Sequence, residues 1–400
     1  MKALFLTNEY PPNVYGGAGI HVEYLTRELA KSIDVEVRCF GDQATQQGRL
    51  VAKGFQFDKA GFANCQGGLK SPLSSFDNCI AFNAEPIDAQ IVHCHTWYTH
   101  LGGVLAQIGY GLPFVITTHS LEPLRPWKRE QLGLGYDLST WIEKTAMERA
   151  DAIIAVSQGM KDDVLNLFDV DERKIQVIYN GIDTDEFRAV ATTDTLTRYG
   201  IDPAVPYVLF VGRVTRQKGI IHLVNAIKHI DENVQIVLCA GQPDTPEIGQ
   251  EMTDLVQAVQ KTRKNVIWIR EWVDTPSKVE LYSHAAVFCC PSIYEPFGII
   301  NLEAMACGTP VVGSAVGGIK EIILHGETGY LVQFEQHRES PFEAVDPDAF
   351  ARALADPINR IVADASLRKA MGAASRTRAE EHFSWRAIAQ EVLALYRTLL

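Results

Sequence analysis

Apolar and polar positions along the chain follow two alternating periods. Short apolar runs at 3–6, 35–40, 91–95, 113–118, 152–156 and 174–178 read as buried strands. Between them apolar residues recur at three- and four-residue spacing, as in Val22, Leu25 and Leu29. That period predicts helices over 20–31, 101–108 and 138–149, and another after Ser157, a side chain suited to an N-cap. A second series has strands at 207–211, 235–240, 266–269, 286–290, 310–313 and 330–332, with helices near 219–230, 246–262, 277–284, 298–307 and 318–324. Two polar-faced helices, 346–363 and 366–381, follow, and Ser384 is placed to start a last one. Residues 42–85 are rich in Gly, Asn and Ser, with poor periodicity, and no role is assigned to them.

Strand–helix alternation, twice over, predicts an α/β fold of two doubly wound, Rossmann-like sheets facing each other across a cleft. A chain of 400 residues is also long for one core. The expected division is an N-terminal domain over 1–182, a linker over 183–206 interrupted by Asp202-Pro203 and Pro206, and a C-terminal domain over 207–383. The last helix, about 384–400, is expected to pack back on the first domain.

Composition narrows the class. With 46% hydrophobic and 22% charged residues the chain reads as an ordinary globular protein, and a formal charge of −12 speaks against nucleic-acid or anionic-membrane partners. No apolar run approaches the ~20 residues that span a bilayer. The first residues, Met1-Lys-Ala-Leu-Phe-Leu, have too short an apolar core for a signal peptide and read as the first strand. The eight cysteines form no CxxC pair and several fall inside strands, which fits reduced thiols and a cytoplasmic location. His93 and His95 share one strand face, but no third ligand is evident and no metal is expected.

Candidate chemistry gathers at strand carboxyl ends, where open α/β sheets bind ligands. Glu295-Pro-Phe-Gly-Ile-Ile-Asn-Leu-Glu303 follows the 286–290 strand, Pro296 suits the first turn of a helix, and Gly308 suits its end. Eight helical residues would set the two glutamates roughly 12 Å apart, whereas paired glycosidase carboxylates lie about 5–9.5 Å apart. The pair therefore either touches different parts of one long ligand or is merely solvated. Arg213 and Lys218, in Gly212-Arg213-Val-Thr-Arg216-Gln-Lys218-Gly219, sit beside a glycine turn and a helix start. They suit a diphosphate clamp, a solvated charge pair being the other reading. Gly16-Gly17-Ala-Gly19 permits close backbone approach to a ligand. Its spacing differs from G-x-G-x-x-G, which disfavours a nicotinamide dehydrogenase.

Jointly these stretches resemble the retaining GT-B glycosyltransferases, in the GT4-like family that includes bacterial glycogen synthases. The resemblance covers nearly the whole chain and rests on Glu295-x7-Glu303 with Ala-Met-Ala-Cys-Gly-Thr-Pro-Val-Val, on Gly212-Arg213 and Lys218-Gly219, on Ser314-Ala-Val-Gly-Gly318 and on the N-terminal glycine loop. Glu9-Tyr-Pro-Pro-Asn-Val-Tyr-Gly-Gly-Ala-Gly-Ile-His21 and His95-Thr-Trp-Tyr-Thr99 look closer still to short glycogen synthases of actinobacterial type, some of which make α-maltose 1-phosphate instead of extending glucan. Where many bacterial glycogen synthases carry Lys-x-Gly-Gly, this chain has Val14 two residues before the glycine pair.

The resemblance implies a role for each motif position. Arg213 and Lys218 bind the donor diphosphate, Glu295 lies by the donor sugar, and Glu303 holds the ribose hydroxyls. The backbone of Phe297, Gly298, Ile299 and Ile300 meets sugar hydroxyls and phosphate, and the Gly16-Gly17 loop closes on the phosphates. His119 sits under the reacting sugar, while His95 and Trp97 line the acceptor side. The expected reaction moves α-glucose, with retention and without a metal or other cofactor, from a nucleoside diphosphate glucose, ADP-glucose favoured, to an α-1,4-glucan. Glucose 1-phosphate is the alternative acceptor; an epimerase or a non-catalytic sugar-binding protein is a more distant reading. Nucleic acid and membrane are excluded as partners, and homo-oligomerisation is left open.

Overall fold

Strand order fixes where each half of the molecule can bind. A computed structural model describes residues 1–56, 62, 64–241, 243–337 and 343–400. Among these, one sheet runs, from edge to edge, Ala44–Gln47, Leu50–Phe55, Asp34–Phe40, Lys2–Thr7, Ile91–His95, Phe114–Thr118, Ala152–Ala155 and Ile175–Val177. Every pairing in it is parallel except that of Ala44–Gln47 with Leu50–Phe55. The other sheet is wholly parallel and runs Val266–Ile269, Gln235–Gly241, Tyr207–Arg213, Val287–Cys290, Val311–Ser314 and Gly329–Val332. In each sheet the first strand lies in the middle and the chain winds outwards to either side. Such sheets bind ligands beyond the carboxyl ends of the two strands where the winding reverses. Those pairs are Lys2–Thr7 with Ile91–His95 and Tyr207–Arg213 with Val287–Cys290.

The first unit comprises Met1–Gly181 together with Trp385–Leu400. The last helix, Trp385–Leu399, buries Trp385, Ile388, Ala389, Val392, Leu393 and Tyr396, a three- and four-residue spacing that makes one apolar face. That face joins the core formed by Phe5, Val22, Leu25, Val37 and Ile154. Gly181 makes room for it, because a Cβ there would lie 2.5 Å from the Trp385 ring. The Tyr396 hydroxyl lies 2.6 Å from His93 Nδ1, tying the helix to the sheet through a buried polar contact.

The second unit is Ile182–Ser384. Residues 183–206, expected as linker, belong to it and carry a helix, Asp194–Tyr199, whose first turn is held by the Glu280 carboxylate accepting from the Thr195 and Leu196 amides. Arg376 donates to the Thr184, Phe187 and Ala306 carbonyls, fixing the start of this segment. Two differences from the periodicity reading have local causes. The helix expected from 298 onward runs Ile299–Ala306, because Gly298 takes φ +103, and Pro296 lies in the loop before it. Within 42–85, Ala44–Gln47 is an exposed polar edge strand, and helix Lys70–Ala84 buries Ser74, Ser75 and Asn78 beside Cys79 and Phe82. Neither shows the apolar alternation that betrays most elements; residues 57–61 and 63 lie outside the described residues.

All eight cysteines are free thiols, and no helix among the described residues is long and apolar enough to cross a membrane. Trp385→Ala is expected to lower the stability of the first unit by about 3–5 kcal/mol, the usual cost of emptying a buried tryptophan site. Denaturant unfolding followed by far-UV circular dichroism reads this; an unchanged midpoint would show that the last helix is not part of that core.

Candidate active site

At the winding reversal of the second sheet, two loops approach each other. Gly219 follows the strand Tyr207–Arg213 and adopts φ +59, and a Cβ on it would lie 2.1 Å from the Pro291 carbonyl oxygen. Only glycine permits both features. The Ile293 amide donates to the Gln217 carbonyl at 2.9 Å, locking the loops together. Lys218 Nζ then lies 2.7 Å from Glu295 Oε2, which also accepts from Ser292 Oγ at 3.2 Å. The pair is largely removed from water, with Lys218 and Glu295 side chains 22% and 7% exposed.

Beneath Glu295 runs the Ser314-Ala-Val-Gly-Gly318 turn. The Gly318 amide donates to the Glu295 carbonyl at 3.0 Å. A Cβ on Gly317, where φ is +44, would fall 1.9 Å from that same oxygen, and one on Gly318 would fall 2.6 Å from Phe297 Cα. The glycine pair is therefore the floor on which the Glu295–Gly298 loop rests. Phe297 is buried, Ile299 is nearly so and Ile300 is half-buried; Gly298 starts the helix with no side-chain cap. The uncapped amides of this helix start are an anion-binding end.

Glu303 lies one turn into that helix and is buried. Its Oε2 accepts from the Tyr282 hydroxyl at 2.8 Å, and its Oε1 lies 3.7 Å from Lys278 Nζ. Burial first, then the Glu303 charge, pushes the Tyr282 phenol well above its ordinary value, so it stays a donor. Arg213, half-exposed, pairs with Asp244 at 2.9 Å rather than with the Lys218 neighbourhood. The two expected clamp cations thus each carry a carboxylate partner of their own.

In the first unit, the corresponding end holds Gly16, Gly17, His95, Trp97 and His119. Glu9, two residues past the first strand, folds back so that Oε2 accepts from the Tyr15 amide at 2.8 Å and the Gly16 amide at 2.9 Å. Gly16 precedes helix Gly17–Leu29 in extended backbone with no side-chain cap, and the Glu9 carboxylate beside it is favoured by the positive end of the helix. Across the reversal, Thr96 Oγ1 donates to Asn8 Oδ1 at 2.8 Å. Thr96 has φ +66, uncommon for a β-branched residue, a form of strain that collects at functional sites. Trp97 is buried and stacks on Tyr98.

His95 Nδ1 lies 2.9 Å from His119 Nε2, so one ring donates to the other. His21 Nδ1 lies 2.6 Å from Asn180 Oδ1, and its ring meets that of His119 edge-on. Burial holds all three imidazoles below their ordinary value, His21 down to about 4, and the neighbouring histidines add to the effect on His95 and His119. Neutral rings can donate and accept without adding charge. Glu9, His21, Asp244 and Tyr282 were not anticipated. Glu9 and His21 bracket the glycine loop in sequence and were open to notice; the other two reach the site only through the fold.

Matching family models cover most of the chain: Glycosyltransferase Family 4 over residues 15–186 and Glycosyl transferases group 1 over 196–378. The chain belongs to this glycosyltransferase family, with the two α/β domains of the GT-B fold, and is a hexosyltransferase. Among its relatives, α-maltose-1-phosphate synthase of Mycolicibacterium smegmatis is 46% identical over 99% of both chains. Glycogen synthase of Mycobacterium tuberculosis is 28% identical over 99% of this chain and 94% of its own. Sucrose-phosphate synthase from Thermosynechococcus elongatus has a TM-score of 0.81 at 26% identity, over 100% of this chain and 99% of its own.

Lys218→Ala is expected to lower kcat/KM by about 10²–10³-fold, the range for losing one preorganised electrostatic contact. Steady-state assays with circular dichroism as a folding control read this; near-normal turnover would remove Lys218 from the chemistry. Gly317→Ala should produce a folded protein with impaired donor binding, since the added methyl collides with the Glu295 carbonyl. Unaltered donor affinity by calorimetry would show that the glycine floor is dispensable.

Proposed function

We propose that the chain is a retaining glucosyltransferase that moves α-glucose from a nucleoside diphosphate glucose, ADP-glucose favoured, to glucose 1-phosphate, giving α-maltose 1-phosphate. The observation that carries the acceptor is end-to-end 46% identity with an α-maltose-1-phosphate synthase, against 28% with a glycogen synthase. That difference puts the sugar-phosphate acceptor ahead of the glucan, reversing the order expected from sequence.

In this reading Lys218 and Arg213 exchange their carboxylate partners for the donor diphosphate, whose negative charge grows as the glycosidic bond breaks. The uncapped helix start at Gly298 adds its amides on the same side. Glu295, relieved of Lys218, accepts from a glucose hydroxyl, and Glu303 accepts from the ribose hydroxyls with Tyr282 holding its orientation. The Gly16-Gly17 loop, whose Tyr15 and Gly16 amides are held by Glu9 in the free protein, turns to phosphate. His119, kept neutral and oriented by His95, sits under the reacting sugar, and His95 and Trp97 face the acceptor. The acceptor hydroxyl attacks from the face the diphosphate leaves, and the departing phosphate oxygen takes its proton. Positioning and electrostatic stabilisation supply the rate, without a metal. Burial of cytosolic-type free thiols fits a cytoplasmic enzyme.

The test is an incubation of ADP-, UDP- and GDP-glucose, each labelled, with glucose 1-phosphate, with glycogen, or with no acceptor. The expected product is a soluble α-linked disaccharide phosphate formed fastest from ADP-glucose. Label in glycogen alone would establish glucan extension instead, and release of nucleotide without acceptor would point to an epimerase. Glu303→Gln is expected to raise the donor KM while leaving the acceptor KM near its starting value; the reverse would place Glu303 on the acceptor.

A further inference from the structure

Three imidazoles converge at the carboxyl end of the first sheet. His95 ends the strand Ile91–His95, His119 follows the strand Phe114–Thr118, and His21 comes from helix Gly17–Leu29. One ring nitrogen from each lies within 4.8 Å of the other two. Asn180 Oδ1 can only accept, so His21 Nδ1 carries its proton and His21 Nε2 presents a bare lone pair. His21 Nε2 and His95 Nε2 are buried without a hydrogen-bond partner. Buried polar atoms of this kind call for an explanation. His93 takes no part, since both its nitrogens are engaged by Tyr396 and Thr117.

We propose that His21, His95 and His119 form an inhibitory binding site for a divalent transition-metal ion of the zinc class. Three nitrogen donors suit zinc, copper or nickel, whereas magnesium and calcium require oxygen ligands. Zinc–nitrogen bonds of about 2.0–2.1 Å in a tetrahedral site set the nitrogens roughly 3.4 Å apart. The three nitrogens lie within 4.8 Å of one another and those of His95 and His119 are 2.9 Å apart, so rotation of the rings brings their lone pairs onto one ion. The proton between His95 and His119 moves to an outer ring nitrogen as the ion enters; the rings are neutral, and no net proton is released. Asn180 plays the outer-shell part common to metal-bound histidines, accepting from the nitrogen opposite the ligating one. His119 is the more exposed of the three, so the ion enters from its side. The inhibition rests on the proposed function, which places His119 under the sugar; the binding of the ion does not.

The full chain is titrated with Co²⁺ and then with Zn²⁺. Expected are visible bands of a four-coordinate nitrogen and oxygen site, displacement by Zn²⁺ of a single ion per chain, and loss of transferase activity restored by a chelator. His21→Phe, or His21→Gln if the first variant fails to fold, should abolish uptake of that ion. Asn180→Ala should weaken it about 10–100-fold, as outer-shell substitutions do. No uptake by the unaltered protein, a thiolate-to-metal charge-transfer band, or uptake unchanged in folded His21 variants would each overturn the site. Zinc bound with transfer unaffected would overturn its inhibitory role. Uptake is read spectroscopically whatever acceptor the enzyme uses, so a failed acceptor assignment and a failed metal site give different results.

Discussion

The Lys218–Glu295 ion pair is the constraint on which the ligand-binding end of the second unit depends. Two loops leave neighbouring parallel strands at the winding reversal, and the pair is where they meet. It needs Gly219 against the Pro291 carbonyl on one side and Gly317-Gly318 beneath Glu295 on the other. Each glycine removes a Cβ that would separate backbones now in contact. A cation and a carboxylate so little exposed hold each other at a cost in lost hydration, so deleting either leaves the other uncompensated. The glycines of the sequence motifs and the charges they flank are thus one structural device.

Both units keep their anion-binding groups occupied by carboxylates of the chain itself. In the second, Glu295 holds Lys218 and Asp244 holds Arg213. In the first, Glu9 holds the Tyr15 and Gly16 amides. This is consistent with a chain of formal charge −12 that carries only 37 basic residues. Under the proposed function, an entering phosphate displaces an internal carboxylate at each point. In that reaction, the donor diphosphate meets the Lys218 and Arg213 exchanges of the second unit together.

Much of the fold was legible because a fully buried parallel strand is a continuous apolar run. Ile116, Ile153 and Leu238 are each at or near zero exposure, and nothing in their neighbourhoods disguises the pattern. The strand Ala44–Gln47 was not legible, since an exposed edge strand carries no apolar alternation, and helix Lys70–Ala84 was hidden by serines and an asparagine on its buried side. The motif glutamates and basic residues stood out for their positions, but their partners did not. Asp244 and Tyr282 lie 31 and 21 residues from the side chains they bind, and no local pattern joins them. His119 stood out at a strand carboxyl end, but its contact with His95 and with His21, which lies on the first helix, emerges only from the fold.

Val14 shows how one departure from a motif acquires a physical meaning. Its Cγ1 sits 2.9 Å from where a Cβ on Gly19 would be, so this side chain packs against the first turn of helix Gly17–Leu29. Glu9 Oε2 lies equally close to that point. A lysine at position 14 in this packing would bring its charge beside Glu9 and hold the carboxylate on the amides more firmly. With valine there, the Glu9 carboxylate is held, among the described residues, by two neutral backbone donors, and in the proposed reaction a phosphate, with more acceptor oxygens and more charge, takes its place. Under the proposed function, the missing cation leaves the Tyr15 and Gly16 amides as the groups on this loop that meet the phosphate.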